Sequence, residues 1–178
     1  LGLQTLMVGK NHGDLPARRI LEWHGAKTEF DETFHVNLGE FTYYRNPDNR
    51  FKRESGDILY QRVGGQPAKP YFPEGEEYIT DLFAKRVVSF IDQKAASNQG
   101  FFIYCAFNAP HSPLQGKPDD MRALFPKIFG SWTDEQIRQD GMKWQDSRYH
   151  REHIMAMVHA IDRAIGSVIS SLKQHGLY

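Results

Sequence analysis

Three side chains in this sequence, Lys10, His12 and His111, are of the types that handle anions and protons, and each follows an apolar run. The first two sit in Gly9-Lys10-Asn11-His12-Gly13-Asp14, where an extended backbone would put Lys10 and His12 on one side through its two-residue side-chain period. The third sits in Asn108-Ala109-Pro110-His111-Ser112-Pro113, where flanking prolines restrict the backbone and so direct the imidazole. An ammonium attracts an oxyanion, and a histidine with an ordinary pKa of about 6.5 moves protons near neutrality. Together they suit a sulfate or a phosphate ester.

Other residues of reactive type carry weaker patterns. His150, His153 and His159 lack the four-residue helical spacing of a metal pair and are expected at the surface. His24, His35 and His175 have no partner that the sequence identifies, and Cys105 lies inside an apolar run, as a core thiol does. Val63-Gly64-Gly65-Gln66 lacks the Lys and Ser or Thr that follow a phosphate-binding glycine loop, so it reads as a turn. Arg50, Lys52 and Arg53 follow an Asn-Pro-Asp-Asn turn and read as a solvated loop.

The elements that must position the three residues follow from hydrophobic pattern. Thr5 to Gly9 is a short apolar run with the character of a buried strand, and Pro16 to Trp23 could form a helix stopped by Gly25. From Gly25 to Pro73 the pattern is one of loops and short strands, with one extended segment at Asp57 to Val63. Ile79, Leu82, Phe83, Val87, Phe90 and Ile91 recur at three and four spacing, which predicts a helix from Tyr78 to about Ala96. Phe101 to Phe107 follows as a nearly continuous apolar run, the mark of a strand buried on both faces. A short helix is expected over Asp134 to Asp140 with Thr133 as its cap. The last, from about Tyr149 to Gln174, carries a stripe of Ile154, Met157, Val158, Ile161, Ile165, Val168, Ile169 and Leu172 and is stopped by Gly176. Helix followed by buried strand indicates an α/β protein with a central, mostly parallel sheet and helices on both faces. In such sheets ligands collect beyond the carboxyl ends of the strands, which is where Lys10, His12 and His111 fall.

Composition bounds the rest. Among 178 residues, 22 Lys and Arg balance 22 Asp and Glu, so there is no basic excess to displace phosphate counterions, and nucleic acid is not an expected partner. A 40% hydrophobic, 25% charged chain is globular, and its length suits one domain, residues 1–178. One cysteine excludes internal disulfides. The apolar run Phe101 to Phe107 is far shorter than the roughly 20 residues of a membrane-spanning helix, so no transmembrane segment is expected. Neither oligomeric state nor compartment can be read. The start, Leu1-Gly2-Leu3, has no initiator Met and no leader, as an interior segment would.

Gln4 to His12 resembles the Gly-Lys-Trp-His segment of the type I sulfatases, in the alkaline phosphatase superfamily, with Asn11 in place of Trp. Phe101 to Leu114 (FFIYCAFNAPHSPL) is similar to their strand and Pro-His-x-Pro turn. Tyr78-Ile79-Thr80-Asp81, Met155 to Val158 and Ile161 to Gly166 match in the expected order. The resemblance implies an alkaline-phosphatase-like fold, here a partial domain, and hydrolysis of a small-molecule or carbohydrate sulfate ester by a formylglycine hydrate beside a calcium ion. It further implies that Lys10 holds the sulfate and the hydrate, that His111 contacts the sulfate and helps protonate the leaving alcohol, and that His12 deprotonates the hydrate. The family's nucleophile motif, Cys or Ser, then Pro two residues on, then a small residue and Arg, is absent from these 178 residues. The calcium ligands are expected outside this span too, so the span alone is expected to be inactive. Secretion or a periplasmic location is what the family suggests. A phosphodiesterase or phosphonate hydrolase on the same fold, and a non-catalytic sulfatase-like binding protein, are the alternatives.

Overall fold

The structure is a computed structural model that describes residues 2–11, 30–37, 42–45, 59–64, 66–143 and 146–178. Among the described residues the strands are β1 (Gln4–Asn11), β2 (Glu32–Asn37), β3 (Tyr44–Arg45), β4 (Leu59–Arg62), β5 (Lys69–Tyr71), β6 (Glu77–Tyr78) and β7 (Phe101–Ala106). The helices are α1 (Ile79–Ala96), α2 (Pro118–Leu124), α3 (Pro126–Phe129), α4 (Asp134–Met142) and α5 (His150–Gln174). Five strands form one sheet in the order β5-β4-β2-β1-β7, and β3 pairs with β6 in a separate two-stranded ribbon. β1 runs parallel to both β2 and β7, whereas β4 and β5 are antiparallel additions. The sheet is therefore mixed, with its parallel core at β2-β1-β7.

That core explains why the apolar runs become strands. Leu6 and Val8 of β1, Phe34 and Val36 of β2, and Ile103 and Cys105 of β7 join one hydrophobic cluster with α1. The six apolar positions expected to form the inner face of α1 are all buried. At the amino end of β2 the buried Glu32 carboxylate accepts from Arg86 at 2.5 Å and Lys94 at 3.3 Å, both on α1. Those contacts tie the helix to the sheet.

Two expectations change. β7 is not buried on both faces: Phe102 and Tyr104 are about half exposed, at 51% and 50%, while Ile103 and Cys105 face the core. The strand alternates, and its unbroken apolar sequence hides the alternation. β2, a parallel neighbour of β1, is one of the short strands expected in the stretch from Gly25 to Pro73, and its second face buries Thr33 and His35, which dilutes its apolar signal. In α5 the expected stripe splits. Met157 is fully buried, but Ile154, Val158 and Ile165 are 37%, 47% and 45% exposed. The helix docks through Ala156, Ala160 and Ala164, whose small side chains at four-residue intervals let it lie close to its neighbours and displace the bulky residues to the flank. By length and composition α5 could cross a membrane, yet it packs along α1, and its Arg163 pairs with the buried Asp120. Those contacts hold one face of α5 against the rest of the fold.

The helix expected over Pro16 to Trp23 lies outside the described residues. α4 forms as expected: Thr133 accepts from the Gln136 backbone N–H while the Gln136 side chain accepts from the Thr133 N–H, a reciprocal cap. The Val63 to Gln66 turn also forms, closed by Gln66 N–H donating to Val63 O.

Candidate active site

The chain leaves β1, builds β2 on one side of it and later returns to build β7 on the other. Strand order therefore reverses at β1, and the crevice beyond the carboxyl ends of β1 and β7 is the place where parallel sheets bind ligands. The β1–β7 pairing ends with Gly9 opposite Ala106, the last residue of β7, while the β1–β2 pairing runs on to Asn11 opposite Asn37. Lys10 lies in the last turn of pleat on β1 and is half-buried. His111 follows β7 by five residues, also half-buried. Adjacent parallel strands thus deliver Lys10 and the His111 turn to one edge of the sheet. His12 lies outside the described residues.

The His111 turn is closely held. His111 N–H donates to Asn108 O at 3.0 Å across Ala109-Pro110, and both Ala109-Pro110 and Ser112-Pro113 are cis. The ring Nδ1 is 2.8 Å from the Ser112 carbonyl oxygen. A carbonyl only accepts, so that bond requires the proton on Nδ1 and leaves Nε2 as the nitrogen that gains and loses a second proton. A neutral His111 with this tautomer can take up a proton at Nε2 and deliver it.

The support reaches well beyond local sequence. The Gln115 side-chain oxygen accepts from Tyr43 N–H at 2.7 Å and from Thr42 Oγ1 at 3.1 Å, and Tyr78 OH donates to Gln115 O at 2.8 Å. Burial pushes the Tyr43, Tyr44 and Tyr78 phenols well above their ordinary range, so all three stay protonated and able to donate. Burial likewise pushes the Cys105 thiol up to about 11, which keeps it out of nucleophilic chemistry, as a core position implies.

His153 is not at the surface. It is fully buried, with Nδ1 accepting from Gly116 N–H at 3.0 Å and Nε2 3.3 Å from Asp140 Oδ2. Asp140 Oδ2 also accepts from Ser147 Oγ at 2.6 Å. The spacing of the three histidines could not reveal this, because the partner carboxylate comes from α4. Gly116 allows the approach: a Cβ there would lie 2.7 Å from Met121 Sδ and 2.8 Å from Ala156 Cβ. His175, another histidine without a readable partner, pairs with Asp92 at 2.9 Å.

Burial pushes the His153 pKa below its ordinary 6.5, against an opposing pull from Asp140. Below 6.5 the unfolded chain therefore binds a proton that the folded chain resists, and stability is lost as pH falls through that window. A His153→Asn variant keeps an acceptor for Gly116 N–H but does not titrate. Its thermal midpoint is expected to fall less steeply than that of the unsubstituted protein between about pH 7 and 5, and equal slopes would contradict the assignment.

A groove of about 630 Å³ runs between α1, α2, α4 and α5, away from this edge. Its charges are spent on one another, with Lys117 on Asp81 at 2.6 Å, Arg138 on Glu76 at 2.5 Å and Lys85 on Glu77 at 2.7 Å. Neither Lys10 nor His111 lines this groove.

Comparison with known proteins decides the family. The sequence model of the sulfatase family matches residues 1–178. The chain belongs to the sulfatase family. An uncharacterised Escherichia coli K12 sulfatase, YdeN, is 26% identical over 157 residues, covering 88% of this chain and 22% of that protein. Among solved structures, Ps i-CgsB in complex with k-i-k-neocarrahexaose is 28% identical with a TM-score of 0.66, covering 99% of this chain and 35% of that one. A Bacteroides thetaiotaomicron structure, BT33494S-sulf, is 19% identical with a TM-score of 0.58, a likeness of fold alone. This sulfatase chain thus spans about a third of the solved chains and about a fifth of the Escherichia coli protein. The mixed sheet and its helices are the alkaline-phosphatase-like fold of these neighbours.

No group of three or more His, Cys, Asp or Glu side chains among the described residues is arranged to hold a metal ion. The calcium that sulfatases imply finds no ligand set among the described residues.

Proposed function

We propose that the protein carrying this chain hydrolyses sulfate esters, and that the chain is the interior part of one sulfatase catalytic domain. What supports this reading is the topology, which puts Lys10 and the His111 turn at the same end of the parallel strands β1 and β7, where strand order reverses. Lys10 binds the sulfate oxyanion, an ammonium being suited to a compact, multiply charged group. His111, with Nδ1 held by the Ser112 carbonyl, gives its Nε2 proton to the leaving alcohol as the S–O bond breaks toward that oxygen. His12 is the second proton-transfer group, two residues after Lys10. The nucleophile, a formylglycine made from Cys or Ser, and calcium belong to the same reading; their motifs are not in this sequence, so these residues alone do not turn over substrate. A carbohydrate sulfate ester is the substrate class, supported by the 28%-identical relative solved with k-i-k-neocarrahexaose.

The test is turnover by the whole protein of paired aryl sulfate and aryl phosphate esters. Sulfate hydrolysis is expected to dominate. A dominant phosphatase rate would reassign the protein to phosphoryl transfer on the same fold, and no turnover of either aryl ester or of a carbohydrate sulfate would make it a binding protein.

A further inference from the structure

Outside the three residues already assigned, Tyr43 is the side chain most directly built onto the turn that carries His111. The ring is fully buried and stacks on Tyr78 with centroids 5.7 Å apart. Its hydroxyl donates to the His111 carbonyl oxygen at 2.9 Å and accepts from Asn108 Nδ2 at 2.8 Å. These are the last and first residues of the four-residue turn, so one phenol spans it, in parallel with the backbone bond from His111 N–H to Asn108 O. Tyr43 is itself fixed at three further points: its N–H donates to the Gln115 side chain, its carbonyl accepts from Ile79 N–H at 2.9 Å, and the residue before it reaches the same Gln115 oxygen. A phenylalanine would fill the same space. The buried hydroxyl is therefore there for its hydrogen bonds, and both of those bonds go to the His111 turn.

We propose that Tyr43, oriented by Asn108, is a positioning residue for His111: it sets where the imidazole Nε2 stands relative to the leaving oxygen. The inference rests on the sulfatase reading of the crevice. Its consequence is selective. An alkyl or carbohydrate alkoxide must receive a proton as it leaves, whereas 4-nitrophenolate is stable as an anion and leaves without one. Misplacing the acid therefore slows the first kind of substrate and largely spares the second.

The experiment compares Tyr43→Phe with the unsubstituted whole protein on 4-nitrophenyl sulfate and on a carbohydrate sulfate. The expected result is a fall in kcat of about tenfold or more on the carbohydrate sulfate, less than about threefold on the aryl ester, and little change in either KM. Asn108→Ala, which removes the amide that orients the phenol, is expected to show the same pattern and serves if Tyr43→Phe does not fold. Equal losses on both esters, or no loss, would overturn the positioning role while leaving the sulfatase reading intact. An unsubstituted protein that turns over neither ester removes both.

Discussion

Replacing His111 with alanine in the whole protein is expected to lower kcat for a carbohydrate sulfate by about 10²–10⁴-fold, the range by which a positioned acid accelerates a reaction. The loss on 4-nitrophenyl sulfate should be much smaller, because that leaving group needs no proton. Fold should survive, since the imidazole is half-buried at the sheet edge and the turn keeps its backbone bond to Asn108 and the phenol of Tyr43. A uniform fall on both esters with a raised KM would instead make His111 a sulfate-binding group. Tyr43→Phe should look like a weaker copy of His111→Ala, because it moves the same proton donor without removing it.

The edge of the sheet could be read from sequence because two signals coincided. β1 and β7 are apolar runs, and Lys10 lies near the end of the first while His111 comes five residues after the second. What holds the His111 turn could not. Tyr43 and Asn108 are 65 residues apart, and Gly116 and His153 are 37 apart, so neither contact leaves a periodicity or a spacing. The apolar signal of β2 is diluted for a related reason: Glu32, Thr33 and His35 are buried polar residues whose burial depends on partners brought by the fold. Sequence pattern registers apolar burial. It does not register polar burial, whose cost is offset only by tertiary partners.

Gly9 is where the two strands and the site meet, and Gly9→Ala is expected to damage both. Its φ is +113°, a region that L side chains rarely adopt, and a Cβ would lie 1.9 Å from the Ala106 carbonyl oxygen and 2.5 Å from its carbon. Those atoms are backbone of the paired strand and cannot rotate away, so the end of β7 would have to move. Strain at such a φ and overpacking each cost about 1–3 kcal/mol, which places the expected loss of stability at roughly 2–6 kcal/mol. Lys10 follows directly, and the His111 turn follows Ala106 by five residues, so the displacement spreads to both sides of the crevice. Misplacement of a catalytic group by about 1 Å costs on the order of 100-fold, and kcat should fall by about that much. Gly64→Ala is the matched comparison: its φ is +59°, but a Cβ there meets nothing within 4 Å. It should cost about 1–2 kcal/mol of backbone strain and leave kcat unchanged. Denaturant unfolding and steady-state kinetics on the two variants separate the effects. If Gly9→Ala behaves like Gly64→Ala, then the contact between Gly9 and the Ala106 carbonyl does not set the spacing of β1 and β7, and the crevice owes its shape to the loops alone.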